Sequence, residues 1–199
     1  MERYLKNKFP MFGVKTPERK TVLKKYLPKK VLKENVAAYL KEVKFLWDKE
    51  ERDYQYVAMY ILEQLMREMT EAELPLLKYC IQHKSWWDTV DLLAAKNLGA
   101  MFKGRDLFKT EIASWIADED MWLNRSAMLV QLKYKEATDL GFLEASIVPH
   151  LESKEFFLQK AIGWVLREYA KTDAQWVIDF CEKHTLKPLS RREALRLLQ

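Results

Sequence analysis

With 199 residues, 49% of them hydrophobic and 13% aromatic, the chain is long enough to bury a core and too apolar to be disordered. No run of 18 apolar residues offers a membrane span, and the N-terminal MERYLKNKF lacks the apolar centre of a secretory signal, so a soluble, cytoplasmic protein with no membrane partner is expected. The net charge is only +5, but residues 1–44 carry 13 Lys and Arg against 4 Glu, an excess of +9 that leaves −4 for the remaining 155 residues and points to an anionic partner.

Apolar residues recur at three- and four-residue spacing from end to end, and no stretch sustains a period of two, so strands are not expected. The periodicity predicts helices over 17–27, 31–46, 52–68, 73–82, 86–98, 106–116, 122–134, 141–150, 155–170, 174–183 and 190–198. Thr16 with Pro17 reads as a capping residue before an N1 proline, and Thr70 with Glu73 and Ser190 with Glu193 have the spacing of a capping box. Prolines at 28, 75, 149 and 188 and glycines at 104 and 141 fall near the proposed helix ends. The connections are therefore short, which favours an α-solenoid of antiparallel helix pairs presenting a concave groove, built as a single domain over 1–199.

In the first two of these helices Lys24, Lys25, Lys29, Lys30 and Lys33 also fit the solvated faces of ordinary amphipathic helices. VLKKYLPKKVLKENV does not segregate its large apolar residues opposite the lysines as a membrane-surface or calmodulin-target helix would. Cys80 and Cys181 lie far apart in apolar helical contexts and read as buried free thiols. His83, His150 and His184 lack metal-ligand spacing and read as surface or helix-end residues, so no metal and no cofactor are expected.

An internal repeat of about 35 residues emerges when the small residue of three similar stretches is aligned: Ala58 in DYQYVAMYIL, Ala127 in WLNRSAMLVQL and Ala161 in FFLQKAIGWVL. The gaps of 69 and 34 residues place a further anchor near Leu92 in SWWDTVDLLA. Relative to these anchors Trp87, Asp91, Arg125 and Trp164 fall at −5, −1, −2 and +3, one helix face, and a carboxylate, a guanidinium and two indoles would share the surface of a stacked array. Tryptophans at helical spacing are usually core residues, and Trp47, Trp115, Trp122 and Trp176 are assigned there. Trp87 stands apart because it shares a face with Asp91, and Trp164 because Gly163 before it admits a close backbone or ligand. For Asp91 and Arg125 a plain structural ion pair between adjacent repeats is an equal alternative.

These residues lie within longer segments that resemble a known family: RYLKN at 3–7, FGVKTPER at 12–19, SWWDTVD at 85–91, WLNRSAMLVQLKYK at 122–135, KEFFLQKAIGWVLREYAKT at 154–172 and PLSRREAL at 188–195. The sequence is similar over nearly its whole length to the AlkD-like alkylpurine DNA glycosylases, the HEAT-like repeat DNA alkylation repair family. The resemblance implies a HEAT-like α-solenoid whose concave groove binds DNA. It places the family's catalytic aspartate on Asp91, its active-site tryptophans on Trp87 and Trp164, its DNA-clamping arginine on Arg125 and a DNA-contacting tyrosine on Tyr4. Members of that family carry a further helix ahead of the RYLKN segment and extend beyond LSRREAL, features that bear on affinity more than on chemistry.

The chemistry the resemblance implies is excision of cationic N3- and N7-alkylpurines from duplex DNA while the damaged base stays stacked; nothing in the sequence suggests a dimer, so a monomer, associated with the nucleoid when bound to DNA, is expected. A carboxylate suits this reaction because it stabilises the oxocarbenium-like sugar and positions water, as in glycosidases. Indole faces stabilise the polarised sugar and exclude water, and a guanidinium grips phosphate. No amine is designated for a Schiff base, and Lys133 and Lys135 read as phosphate-facing, so strand cleavage is not expected. The alternative is a non-catalytic HEAT-like module binding damaged or branched DNA; a scaffold for an acidic protein tail would draw on the basic N-terminal residues alone.

Overall fold

The computed structural model describes residues 2–105 and 107–198, and among them it is all-α, with no strand. A 3-10 turn at Glu2–Leu5 precedes α1 (Thr16–Tyr26), α2 (Lys29–Glu34), α3 (Val36–Trp47), α4 (Arg52–Leu65) and α5 (Leu74–Gln82). The chain continues through α6 (Trp87–Leu92), a π turn over Leu93–Leu98, α7 (Gly99–Phe102), α8 (Leu107–Ala113) and α9 (Met121–Leu129). It ends with α10 (Leu140–Ile147), α11 (Phe156–Tyr169), α12 (Ala174–Lys183) and α13 (Pro188–Ala194). Tertiary contacts divide it into two compact units, Met1–Thr89 and Val90–Gln199.

In the first unit α3 and α4 pack as an antiparallel pair around Val43, Trp47, Ala58, Ile61, Leu62 and Leu65, with Leu77, Cys80 and Ile81 of α5 against them. Trp47 is fully buried and donates its indole N–H to the His83 carbonyl at 2.7 Å. Gln55 donates to the Trp47 and Lys49 carbonyls at 2.8 and 2.9 Å, satisfying groups that the end of α3 leaves open. In the second unit Met128, Leu129, Leu158, Ala161, Ile162, Val165 and Leu166 pack α9 against α11, and Val177 and Phe180 bring in α12.

The repeat is visible in both units. Ala58, Ala127 and Ala161 are all buried. Asn124 stands three residues before Ala127 as Gln55 does before Ala58, and it caps the preceding helix in the same way, donating to the Trp115 and Asp118 carbonyls at 3.0 and 2.9 Å. Ties between helices keep the same period: Arg52 reaches Asp88 36 residues on, Tyr134 reaches back 35 to Gly99, and His150 reaches back 34 to Ile116. Pairwise packing at a constant period is what a HEAT-like α-solenoid requires.

Four local expectations are corrected. The helix expected over 31–46 is two, broken at Asn35, whose side chain accepts from the Ala38 N–H at 3.2 Å and starts α3 afresh. Thr16 lies inside α1 and accepts from Arg19 at 3.3 Å, leaving no side-chain cap. α13 starts at Pro188, whose preset φ suits a first turn, so Ser190 sits within the helix and donates to the Gln159 carbonyl at 3.0 Å. Leu92 is not an anchor, being 42% exposed; Ala94, two residues on and inside the π turn, is fully buried and takes that place. Thr70 and Glu73 do form a capping box, ahead of α5.

Candidate active site

Asp91 lies in the last turn of α6, just before the π turn, and belongs to the second unit. Its two carboxylate oxygens accept from Nε and one terminal nitrogen of Arg125 at 2.7 and 2.9 Å, a fork-to-fork geometry that fixes the plane of the carboxylate. Asp120 starts α9 by accepting from the Trp122 N–H at 2.8 Å, and the helix then delivers Arg125 one turn later. The remaining terminal nitrogen of Arg125 donates to the Phe157 carbonyl at the start of α11, so one guanidinium ties three helices. Arg125 is 4% exposed and three of its five N–H groups are engaged. The structure thus turns the Nε edge of its fork toward Asp91.

Trp87 opens α6 one turn before Asp91 and belongs to the first unit. Its ring meets that of Tyr4 edge to face, with centroids 5.1 Å apart, and Tyr4 is 71% exposed. Two candidates 83 residues apart in sequence are thereby in direct contact. Trp164 lies in α11, half-buried against the core of the second unit. The preceding Gly163 admits a backbone: a methyl group there would stand 2.9 Å from the Ser190 carbonyl oxygen and 2.4 Å from Glu193 Cβ, both on α13. Glu193 binds Lys160 at 3.0 Å and Arg167 besides, locking α13 along the helix that carries Trp164.

The model of the family described as DNA alkylation repair enzyme matches residues 1–198. The chain belongs to the DNA alkylation repair enzyme family. A solved structure described as a predicted DNA alkylation repair enzyme from Enterococcus faecalis is similar to it, with 33% identity, a TM-score of 0.86, and coverage of 100% of this chain and 92% of that one. No curated protein matches.

Membership in the DNA alkylation repair family assigns the protein an enzymatic role in DNA repair, and the anionic partner expected from the charge distribution is DNA. Lys20, Lys24, Lys25, Lys29 and Lys30 on α1 and α2 are exposed, whereas Lys33 pairs with Glu68. Lys133 is tied to Glu168 at 3.2 Å, and Lys135 sits in the left-handed region at φ 53°. No group of three or more side chains arranged to hold a metal ion occurs among the described residues. Sequence reasoning missed Asp88, which neighbours Trp87, and its partner Arg52; the 36-residue interval between them, one repeat, was the signal.

Proposed function

We propose that the protein is a monofunctional DNA glycosylase that removes cationic N3- and N7-alkylated purines from duplex DNA. The observation that carries this is the carboxylate of Asp91, held in a fixed plane by Arg125 on the helix that presents Trp87 one turn earlier, in a chain of this family. Alkylation leaves the purine positively charged, so breaking the bond from C1′ to N9 returns the electron pair to the base and discharges it. The sugar becomes oxocarbenium-like. Asp91 stabilises that cation and orients a water; the water oxygen bonds C1′, its proton departs to the carboxylate or solvent, and an apurinic site remains.

Trp87 and Trp164 present their electron-rich faces to the sugar and exclude bulk water. Tyr4 contacts the DNA backbone, and a phosphate beside the lesion takes the N–H groups of Arg125 that Asp91 and Phe157 leave. The base stays stacked, because the charge of the lesion, not an acid in a base pocket, makes it leave. Neutral lesions are therefore spared. The exposed lysines of α1 and α2 supply phosphate contacts, and affinity falls with rising salt as counterions are released.

The test is single-turnover release of base from a duplex carrying one 7-methylguanine, with alkali added afterwards to cleave at apurinic sites. Asp91→Asn should lower the rate by about a hundredfold or more while DNA affinity stays close to wild type. Wild-type binding without excision would replace this reading by the non-catalytic module, which the geometry also accommodates because Asp91 and Arg125 form an ion pair without DNA.

A further inference from the structure

Within the first unit, a second buried ion pair stands beside Trp87. The Asp88 carboxylate accepts from Nε and a terminal nitrogen of Arg52 at 3.1 and 2.6 Å, and from the Tyr56 hydroxyl at 2.7 Å. Arg52 is fully buried; it also donates to the Lys84 carbonyl at 2.6 Å and the Thr89 hydroxyl at 2.8 Å, and lies 4.2 Å over the Phe9 ring. Lys84 is held at φ 53°, a conformation that residues with a side chain rarely adopt. Behind Tyr56 stands the FGVKTPER segment, whose Arg19 lies 4.3 Å over the Tyr56 ring and whose Phe12 N–H donates to Asp53 at 2.8 Å. Burial and then the Asp88 charge push the Tyr56 phenol pKa up, which keeps it a hydrogen donor.

Stability does not explain this arrangement, since burying two charges costs desolvation and apolar side chains of similar volume hold a core as well. Orientation does. A carboxylate gripped on both oxygens by a planar guanidinium cannot turn, and Asp88 lies in the first turn of α6, directly after Trp87. Arg52 fixes the same turn from before and after, through Lys84 and Thr89. We propose that Arg52, Asp88 and Tyr56 are positioning residues that set the azimuth of the first turn of α6 and hence the plane of the Trp87 indole, with Arg19 as their backing. The consequence for turnover rests on the glycosylase reading; the positioning itself does not.

The test uses the full chain labelled with 5-fluorotryptophan, with the signals of Trp87 and Trp164 assigned from Trp87→Phe and Trp164→Phe. Tyr56→Phe and Arg52→Lys, which keeps the charge and loses the fork, should shift or broaden the Trp87 fluorine resonance and leave that of Trp164 in place. In the same variants single-turnover excision should fall about tenfold or more, with affinity for undamaged duplex within about twofold of wild type. An unmoved Trp87 signal in folded Tyr56→Phe and Arg52→Lys would overturn the proposal. Should Arg52→Lys fail to fold, Tyr56→Phe, which removes one hydroxyl, decides alone. A wild-type protein without excision would sink the glycosylase reading, and the fluorine signal would still decide the positioning.

Discussion

Replacing Gly163 by Ala sets two effects against each other, and the structure says which wins. In the interior of α11 alanine is favoured over glycine by about 1 kcal/mol. The added methyl carbon, however, would stand 2.4 Å from Glu193 Cβ and 2.9 Å from the Ser190 carbonyl oxygen. Carbon atoms rest about 3.5–4.0 Å apart, so α13 must retreat by about 1 Å. Neither atom belongs to a side chain that can rotate aside. The retreat strains the Ser190 bond to Gln159 and the pairing of Glu193 with Lys160 and Arg167. Overpacking costs about 1–3 kcal/mol and a weakened hydrogen bond about 1 more, leaving a net loss of about 1–3 kcal/mol. For a chain of this length each kcal/mol lowers Tm by about 2–4 °C. Calorimetry with urea unfolding checks both numbers. A Gly163→Ala protein as stable as wild type would show that α13 does not press on α11.

Arg125→Ala takes the guanidinium away from the mostly buried Asp91 carboxylate and should cost about 3 kcal/mol in urea unfolding, part of it recovered in Arg125→Ala with Asp91→Asn; additive losses would contradict a coupled pair. Burial holds the His150 pKa below its ordinary value of 6.5, so the unfolded chain takes up the proton first: the stability His150 contributes is present above that pH and is lost as pH falls toward the folded value. His150→Gln should flatten this slope between about pH 7 and 5, read as the urea midpoint at each pH. Burial raises the pKa of both thiols, so neither Cys80 nor Cys181 should react with a disulfide reagent at about pH 8 until urea unfolds the protein. Tyr134→Phe leaves the Gly99 carbonyl without its hydroxyl donor and should cost about 1 kcal/mol by the same unfolding assay.

The sequence by itself determined the class of fold, the repeat and the identity of the candidate residues. Those rest on local chemistry: apolar spacing declares a helix, alanines at a constant interval declare where neighbours touch, and long ordered segments declare the family. Trp87 and Asp91 share a face because they lie one turn apart, whatever surrounds them. Partnership was decided only by tertiary structure. Asp91 with Arg125 was legible as one of two equal possibilities, since a charge pattern cannot say whether a guanidinium turns inward or toward solvent; burial of Arg125 among three helices turned it inward. The occupant of the space beside Gly163, backbone or ligand, was also open, and it is α13, through Glu193 Cβ and the Ser190 carbonyl. The anchor near Leu92 failed because repeat counting assumes equal intervals, and the buried small residue, Ala94, lies 36 residues after Ala58 and 33 before Ala127. Asp88 drew no assignment because nothing near it in sequence announces Arg52, a full repeat away, whose fork reaches it only once α4 and the start of α6 have packed together.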